Sequence, residues 1–493
     1  MNALKDVSLG HASNSAGAVD LVVVGGGGAG MCAALEAQSR GLRCMIIEAD
    51  QKLGGATALS SGVYYAAGTD IQRANGITND TPDAAFDYIM TLNRAAVKPD
   101  IVRLLCERAG AGLEFLIQKG AVFPEDHLVG GGRQRVARGH SCSGEGGSIA
   151  SVLADRVRET DIDVRLGVRV DSLIVEEGCV VGARAGEQKF LARAVALTSG
   201  GFGNSKPMLE RFYPSVAQHG ERTWAVHEPA PFILGDGILM AEAIGARITG
   251  HDTGLPLPTA GFKHNVEGVL PPWIMLVNRE GRRFMAETSP FSVSGYLINE
   301  QTDARSFAIF DEQTLKETSD NLDYLDPLKQ RMSVPSWHQK SIREEVAKGV
   351  VKSATSLHDL ALKTGIDSIA LQTTVDRYNA DFDRGVDGTF FKNSGHHPIR
   401  VPPFYAVEVR ASMIGLTAAG LEIDTHARVL DTHGRVIPGL YAAGEILGCV
   451  MGNRYAAGGV SIANAIVFGR LIGECVAADL QQTGGQHLLL AQA

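Results

Sequence analysis

Hydrophobic residues near the start of the chain form two short continuous runs on either side of a helical pattern. The first run is LVVV (residues 21–24) and the second is MII (residues 45–47). Between them, apolar side chains recur with helical spacing at Met31, Ala34, Leu35 and Ala37. Continuous apolar runs of this length are typical of parallel strands that are covered on both faces. The pattern therefore predicts a buried strand, a tight turn, a helix and a second strand.

The same arrangement returns at the C-terminal end, whereas the middle of the chain differs. The segment VIPGLYAAGEILG (residues 436–448) predicts a strand and a Gly-Glu turn, and an apolar helical pattern follows it. Residues 300–385 are more charged and predict helices without a nucleotide motif. Glycines interrupt the longest apolar runs, so no transmembrane segment is expected. Residues 1–18 lack the apolar stretch of a signal peptide and are expected to be a flexible tail.

Composition narrows the class of protein further. A net charge of −9 over 493 residues leaves no basic stretch for phosphate contacts, which argues against a nucleic-acid partner. The 58 glycines fit many tight turns between strands and helices. The seven cysteines are scattered, odd in number and without a CxxC pair. We therefore expect reduced thiols, a cytoplasmic location and no metal site.

The turn after the first predicted strand carries the strongest motif, Gly25-x-Gly27-x-x-Gly30. In such a unit the first glycine makes the turn, the second admits a pyrophosphate, and the third lets the helix pack closely. The helix N-terminus favours the phosphate charge. Glu48, at the end of the second strand, stands where an acid accepts ribose hydroxyls. A glycine turn that binds nothing would leave Glu48 unexplained, so the unit predicts dinucleotide binding.

The next segment favours FAD over NAD as the dinucleotide. KLGGATALSSGVYYAAGTD (residues 52–70) follows the ribose acid directly and is rich in small and hydroxylated residues. Such residues suit the flavin ring and its ribityl chain. Residues 55–60 contain no histidine and the chain contains no CxxCH haem motif. We therefore expect noncovalent FAD and no attached cytochrome.

Several further segments extend this pattern over nearly the whole chain. They are LEFLIQKGAVF (113–123), VALTSGGFGNS (195–205), GDGILMAEAIGA (235–246), IMLVNREGRRFMAE (274–287) and PFYAVEV (403–409). Together with both ends, they resemble the flavoprotein family of fumarate reductase, succinate dehydrogenase and the 3-ketosteroid dehydrogenases. The resemblance implies an α/β fold with a Rossmann-like, glutathione-reductase-type FAD domain and an inserted α+β capping domain. The expected divisions are a tail (1–18), the first segment of the FAD-binding domain (19–250), the capping domain (251–385) and the second segment of the FAD-binding domain (386–493).

The resemblance and the glycine motif together predict the residues that contact FAD. They are Gly25, Gly27, Gly28, Ala29, Gly30, Glu48, Gly55, Ala56, Thr57, Ser60, Ser61, Gly62, Val168, Gly201, Asp236, Gly444, Glu445, Ser461 and Ile462. Ser461 and Ile462 open the last helix, whose positive end favours negative charge on the reduced flavin. Val168 and Ile462 equally suit plain core packing.

Members of this family move a hydride between flavin and a carbon that neighbours an activating group. For dicarboxylate substrates, fumarate reductases use a cap arginine as proton donor, within a GxRFxxExxxRD pattern, together with two histidines. Here Pro290-Phe291 stands about where the Arg-Asp pair falls, Leu257 precedes Pro258-Thr259 in place of one histidine, and SMIGLTAAGLEID (412–424) lacks the other. Burying a dicarboxylate without these groups would cost several kcal/mol.

The segment RYAAGG matches ketone activation instead. Ketosteroid dehydrogenases polarise a carbonyl with a tyrosine hydroxyl and the amide of a glycine four residues later, and Tyr455 and Gly459 match that spacing. The resemblance makes these two residues an oxyanion hole and makes Tyr296, in the cap, the base for the α-proton. Equally open are Tyr455 packing on the flavin edge and Tyr296 as an ordinary cap residue.

Other side chains remain candidates for the same chemistry. Tyr64, Tyr65 and His140 are reserve bases, although His140 also suits a structural role. Counted back from the FGR segment of the last helix, Arg454 lies two residues closer to the N-terminus than the substrate arginine of fumarate reductases would. It therefore suits a structural or entrance position. Ala457 replaces a serine common in the steroid enzymes, so the ring position attacked stays open.

The sequence thus predicts an FAD-dependent dehydrogenase that converts a cyclic ketone or 3-ketosteroid to its enone. The alternative is a fumarate reductase-like or tricarballylate dehydrogenase-like enzyme acting on carboxylates, in which Arg454, Arg410 or Arg283 binds the substrate. A disulfide reductase is disfavoured because a second GxGxxG and a redox CxxxxC are missing, and a non-catalytic flavoprotein would need a cap without a cavity. A small-molecule ketone is the expected partner, and the electron acceptor stays open.

Overall fold

The computed structural model describes residues 19–93, 96–130, 136–228, 232–262, 270–318 and 335–490, with residues 335 and 482–490 described by their backbone alone. The predicted tail, residues 1–18, lies outside the described residues. The chain divides into two compact units. Unit 1 comprises residues up to 214, 227–254 and 416 onward, and unit 2 comprises residues 215–226 and 255–415.

Both units contain strands and helices. The strands are β1 (Val19–Val24), β2 (Cys44–Ile47), β3 (Val63–Tyr65), β4 (Leu128–Val129), β5 (Gly139–Ser141), β6 (Asp163–Arg165), β7 (Ser172–Glu176), β8 (Cys179–Ala185), β9 (Gln188–Leu197), β10 (Trp224–Ala225), β11 (Ile248–Thr249), β12 (Gly254–Thr259), β13 (Met275–Val277), β14 (Ser306–Asp311), β15 (Lys352–Ala354), β16 (Phe404–Thr417), β17 (Gly420–Leu421), β18 (Arg428–Leu430) and β19 (Val436–Ala442). The α-helices are Gly28–Ser39, Gly55–Ala58, Asp70–Ala74, Pro82–Asn93, Pro99–Lys119, Glu145–Arg158, Lys206–Phe212, Pro214–Ala217, Asp236–Ala243, Phe291–Asn299, Glu312–Thr318, Gln339–Ala347, Leu357–Thr364, Ser368–Asp383 and Val460–Leu490.

Unit 1 is built on a largely parallel sheet. Its strands follow the order β18-β19-β9-β1-β2-β6, and β8 and β7 continue from β9. The two predicted strands lie side by side in parallel, with Leu21 opposite Cys44. Leu21, Val22 and Val23 are fully buried, as their continuous apolar run requires. The predicted Rossmann-like α/β fold is therefore confirmed in this unit.

The helices Gly28–Ser39 and Val460–Leu490 pack closely because glycines stand where they meet. A Cβ on Gly469 would lie 2.4 Å from the carbonyl oxygen of Ala29, and a Cβ on Gly473 would lie 2.6 Å from the Ala37 amide. Residues 460–481 of the last helix are long and apolar enough to cross a membrane, but 83% of the most apolar window is buried inside the protein. Its hydrophobicity is therefore that of a core helix.

Unit 2 is an α+β unit centred on the long strand β16. This strand pairs in parallel with β10 and antiparallel with β14 and β15, and β12 and β13 complete a six-stranded sheet. Aromatic side chains fill one core, where Trp273 meets Phe310 and Trp337 edge-on. The predicted division placed the end of the cap at residue 385. Residues 386–415 instead belong to this unit, because β16 supplies its central strand.

Candidate active site

The glycine turn of unit 1 has three glycines in three different environments. Gly25 has a φ of +106°, and a Cβ there would lie 2.6 Å from the Thr198 carbonyl oxygen. A Cβ on Gly30 would lie 1.9 Å from the Gly25 carbonyl oxygen, so only glycine lets the helix approach the strand. Around Gly27 the nearest atom to an added Cβ is Gly54 O, at 3.9 Å. This open space over Gly27 fits the predicted approach of a pyrophosphate.

Glu48 lies at the end of β2, buried and already oriented by backbone amides. Its Oε2 accepts a hydrogen bond from the Gly26 amide at 2.6 Å, and its Oε1 accepts one from the Asp50 amide at 2.8 Å. The predicted adenine-side residue Val168 is adjacent, since its amide donates to the Glu48 carbonyl at 2.9 Å. The structure therefore brings the ribose acid, the glycine turn and Val168 together at one edge of the sheet.

The loop of residues 54–62 lies against the same turn. Gly54 and Gly27 form a parallel bridge, and the Gly28 amide donates to Thr57 Oγ1 at 3.2 Å. Ser60 Oγ donates to the Thr57 carbonyl at 2.8 Å and accepts from the Gly62 amide at 3.3 Å. These hydrogen bonds shape the loop on which the predicted cofactor residues stand. Those residues are Gly55, Ala56, Thr57, Ser60, Ser61 and Gly62.

Glu445 is partly buried beside Gly201 in a second group of predicted cofactor residues. Glu445 Oε1 accepts hydrogen bonds from the Thr417 amide at 3.0 Å and the Thr417 hydroxyl at 3.1 Å. Burial raises the pKa of Glu445, and the bonds from Thr417 oppose that rise. A Cβ on Gly201 would lie 2.4 Å from Glu445 Oε1, so only glycine fits there. Asp236 stands apart from this pair, in an ion pair with Arg169, the neighbour of Val168.

Sequence reasoning missed Thr417 and Asn464. Asn464 Nδ2 donates to the Gly444 carbonyl at 2.9 Å, while its Oδ1 is buried without a hydrogen-bond partner among the described residues. An added Cβ on Gly444 would lie 3.1 Å from the Ala29 Cβ, so Asn464 stands close to the glycine turn. A lone amide inside the apolar run SIANAIVFG could have marked Asn464. Thr417 had no comparable signal, because its partner Glu445 is 28 residues away.

Tyr455, Gly459 and Ser461 meet at the start of the last helix. The buried Tyr455 hydroxyl donates to Ser461 Oγ and accepts from the Ser461 amide, both at 3.2 Å. Burial raises the pKa of Tyr455, and hydrogen bonds from Ser461 and the Gly459 backbone oppose that rise. The hydroxyl is therefore protonated at neutral pH, surrounded by donors of a helix N-terminus. Ile462 follows as a buried residue of the same helix.

Gly459 lies in a position that only glycine can occupy. Its φ is +95°, and an added Cβ would lie 2.7 Å from both the Tyr64 carbonyl carbon and the Tyr65 amide nitrogen. The Gly459 carbonyl also accepts a hydrogen bond from the Tyr65 amide at 3.3 Å. Strand β3 thus lies directly against the turn that carries Tyr455.

The three alternative candidates for the base, Tyr64, Tyr65 and His140, make other contacts within unit 1. The Tyr64 hydroxyl donates to the Ala109 carbonyl at 2.9 Å, and the Tyr65 hydroxyl accepts from Arg138 at 3.3 Å. Burial raises the pKa of both tyrosines. His140 Nε2 lies 2.8 Å from Thr69 Oγ1, and burial lowers the pKa of this histidine. These contacts favour structural roles that hold β3 and β5 in place.

Unit 2 contains Tyr296, the predicted base, and two positions at which this chain lacks the polar substrate residues of fumarate reductases. Tyr296 is 8% exposed on the helix Phe291–Asn299. That helix lies on β12, where an added Cβ on Gly295 would meet the Pro256 carbonyl oxygen at 1.8 Å. Leu257 is buried in β12, and Pro290 caps the same helix.

The three arginines of the carboxylate alternative differ in what they contact. Arg283 is 5% exposed and makes ion pairs at 2.9 Å with Glu287 and with Asp387. It cannot bind a substrate without breaking both pairs. Arg454 Nη1 donates to the Asn453 carbonyl at 3.1 Å, and Arg410 pairs with Glu408.

Together these observations fit a bound FAD molecule. A dinucleotide can use the open space over Gly27, the oriented Glu48 carboxylate and Asn464 Oδ1, which accepts no hydrogen bond within the described part of the chain. All of them belong to unit 1. The fold and this group of residues therefore define a dinucleotide-binding flavoprotein.

Comparison with known proteins agrees with this class. Residues 20–462 match the FAD binding domain model. The chain is 32% identical over 467 residues to a fumarate reductase (cytochrome) of Shewanella frigidimarina, a match that covers 92% of this chain and 76% of that protein. It is 31% identical over 478 residues to a urocanate reductase of Eggerthella lenta, covering 93% and 75%. The structure of a 3-ketosteroid delta1-dehydrogenase from Sterolibacterium denitrificans matches with a TM-score of 0.78 at 22% identity, covering 94% and 99%, and supports the fold alone.

The chain belongs to the FAD-binding flavoprotein family of fumarate reductase and succinate dehydrogenase. It is an FAD-dependent oxidoreductase that acts on CH–CH or C=C bonds. The predicted cofactor is thereby confirmed as FAD. The roles of the individual residues stay predictions.

Proposed function

We propose that the chain is a dehydrogenase that introduces a C=C bond α,β to a ketone, with a cyclic ketone or 3-ketosteroid as substrate. The observation that carries this proposal is the convergence of the Tyr455 hydroxyl with the donors of Gly459 and Ser461 at the start of the last helix. Bound FAD supplies the hydride acceptor. The residues of this chain bind and polarise the ketone and handle the α-proton.

In this proposal Tyr455 acts as a neutral hydrogen-bond donor to the substrate carbonyl. Because burial raises its pKa, the hydroxyl keeps its proton at neutral pH. A ketone oxygen that replaces Ser461 Oγ as its acceptor would receive that hydrogen bond, and the Gly459 amide would supply a second by exchanging the Tyr455 hydroxyl for the ketone oxygen. Both donors stabilise the negative charge that develops on oxygen when the α-proton leaves. One such donor typically contributes about 10²–10³ in kcat.

Tyr296 takes the α-proton in the same proposal. Only the phenolate form of Tyr296 can accept that proton, so its own phenolic proton must first leave to solvent, while the polarised carbonyl makes the α-carbon more acidic. Tyr455 and Tyr296 therefore have opposite tasks: the first keeps its proton, and the second accepts one. We further propose that FAD is noncovalent and that the protein is cytoplasmic.

The family's carboxylate-binding positions support a ketone rather than a dicarboxylate. Pro290-Phe291 and Leu257 provide no positive charge, and Leu257 is buried. Arg283 is committed to two buried carboxylates. A dicarboxylate placed against these residues would lose its hydration without gaining counter-charges, at a cost of several kcal/mol.

A second candidate is a reductase of an unsaturated carboxylate. Two relatives at 30% identity or more, a fumarate reductase and a urocanate reductase, favour it. Arg454 would then bind the carboxylate, because it adjoins Tyr455 in the same turn. Tyr455 would in that case pack beside the flavin without touching the reacting carbon.

Anaerobic titration of the purified flavoprotein separates the two candidates. The oxidised protein is mixed with a 3-ketosteroid, a substituted cyclohexanone or succinate, and the dithionite-reduced protein is mixed with fumarate or urocanate. We expect a ketone to bleach the visible flavin band and the carboxylates to leave it unchanged. Reoxidation by fumarate or urocanate, without any response to ketones, would establish the carboxylate candidate.

A further inference from the structure

Three arginines of unit 2 surround a single carboxylate. Glu408 and Arg410 project on the same side of β16, since they are two residues apart on one strand. Arg305 directly precedes β14, whose first residue pairs with Val409 of β16. Arg222 lies two residues before β10, which pairs with β16 from Met413. The sheet register therefore gathers residues that are far apart in sequence.

Glu408 Oε1 is the shared acceptor of this arginine cluster, which we define as Arg222, Arg305 and Arg410. It accepts a hydrogen bond from Arg222 Nη1 at 2.7 Å and one from Arg410 Nε. Arg305 Nε lies 3.9 Å from the same oxygen, too far for a hydrogen bond. Arg222 Nη2 has a further weak bond, to the Ala260 carbonyl at 3.4 Å.

The three guanidinium groups of the arginine cluster carry more positive charge than the single Glu408 carboxylate neutralises. Among the described residues, one carboxylate serves three guanidinium groups within ion-pair distance. Arg305 Nε is buried and has no hydrogen-bond partner in the portion of the chain that the structure describes. Burial lowers the pKa of Arg222, and repulsion from Arg410 and Arg305 adds to this. An unpaired, desolvated guanidinium nitrogen is costly unless something else accepts its hydrogen.

The neighbouring histidine does not offset this charge. His219 Nε2 lies 3.0 Å from Asn299 Oδ1, and burial, with repulsion from Arg410 and Arg222, lowers the pKa of His219 to about 4. At neutral pH His219 is uncharged. The residues that face the cluster therefore leave it net positive.

We propose that the arginine cluster binds an oxyanion, the phosphate or carboxylate group of a small molecule. Guanidinium groups bind such anions through paired, charge-assisted hydrogen bonds. Arg305 Nε supplies a donor that Glu408 does not use. The side chains of Arg222 and Arg305 are 34% and 40% exposed, so an anion can reach their exposed parts from solvent, and it reaches the buried Arg305 Nε when the groups that cover this nitrogen move aside. This site does not depend on the proposed ketone chemistry.

Thermal unfolding of the FAD-loaded protein tests the site. Inorganic phosphate and succinate are titrated separately, with sodium chloride adjusted to hold the ionic strength constant. The proposal predicts a saturating rise in Tm with at least one of them, because a ligand that binds only the folded state stabilises it. A response to phosphate alone identifies a phosphate group as the ligand, and a response to succinate that Arg305→Gln weakens identifies a carboxylate at the cluster.

Two substitutions with opposite expected effects on the apparent anion affinity make the test more specific. Arg305→Gln should weaken the apparent anion affinity about tenfold, the effect of one charge-assisted hydrogen bond. Glu408→Gln should strengthen it, because the competing carboxylate is lost. Arg400→Gln is the matched control: it removes the same charge from an arginine paired with Asp383 in the same unit, and it should leave the affinity unchanged.

Three results would overturn the proposal. The first is a Tm that follows sodium chloride and both anions equally. The second is an Arg305→Gln protein with the affinity of the unaltered chain, and the third is a Glu408→Gln protein with weaker affinity. If Glu408→Gln does not fold, Arg410→Gln replaces it, with about the same tenfold loss expected as for Arg305→Gln.

Discussion

Replacing Gly459 with alanine tests the packing of the Tyr455 turn against β3. The new Cβ would lie 2.7 Å from two backbone atoms of β3, and backbone atoms cannot rotate away. Overpacking of this kind costs about 1–3 kcal/mol. The φ of +95° adds the strain of a left-handed alanine, about 1–2 kcal/mol. We therefore expect Gly459→Ala to lower the free energy of unfolding by about 2–5 kcal/mol.

Gly41→Ala is the matched control for this substitution. Gly41 also has a positive φ, +84°, but an added Cβ there meets nothing within 4 Å. It should therefore cost only the backbone strain, about 1–2 kcal/mol. Urea unfolding followed by circular dichroism measures both variants. If Gly459→Ala is no more destabilising than Gly41→Ala, the close contact between this turn and β3 is wrong.

Three further substitutions test other regions of the molecule. Gly30→Ala should lower the FAD content of the purified protein far more than the control Gly110→Ala does, because a Cβ on Gly30 would lie 1.9 Å from a backbone oxygen whereas a Cβ on Gly110 meets nothing within 4 Å; equal FAD content by absorbance would contradict this. Arg283→Met should cost about 3–5 kcal/mol in urea unfolding, because it removes the guanidinium shared by two buried carboxylates, of which Glu287 keeps its ion pair with Lys392; a cost below about 1 kcal/mol would refute it. Glu312→Gln should flatten the loss of stability between about pH 4.5 and 2. Burial opposes the shift, but hydrogen bonds from Arg343, Tyr405 and Lys316 lower the pKa of Glu312 to about 2, so its contribution to stability is lost as pH falls through that window; an unchanged slope would contradict this.

The dinucleotide-binding part of unit 1 could be predicted because its sequence signals lie close together along the chain. The valine-rich run, the spacing of Gly25, Gly27 and Gly30, and the acid at Glu48 each follow from contacts within about thirty residues. The structure shows the corresponding geometry, with one glycine in a left-handed turn and another at a close helix–strand contact. The FAD cofactor then follows from the family.

Contacts between residues that are far apart in the sequence could not be predicted from local sequence patterns. β16 belongs to unit 2 because it pairs with β14 and β15, and neither pairing is visible in its own sequence. Tyr64 and Tyr65 looked available for catalysis because they adjoin the flavin loop, yet their hydroxyls contact Ala109 and Arg138. The Thr417–Glu445 contact likewise joins segments that only the folded sheet brings together.

The oxyanion-hole role of Tyr455 is tested by the rate of flavin reduction by a ketone in stopped flow, compared between the unaltered protein, Tyr455→Phe and Tyr64→Phe. Tyr64→Phe is the control, because it removes an equally buried hydroxyl that donates to Ala109. We expect Tyr455→Phe to slow reduction about 10²–10³-fold with the flavin still bound, and Tyr64→Phe to leave the rate within a few-fold. A Tyr455→Phe protein that a ketone reduces at the unaltered rate would contradict the oxyanion-hole role.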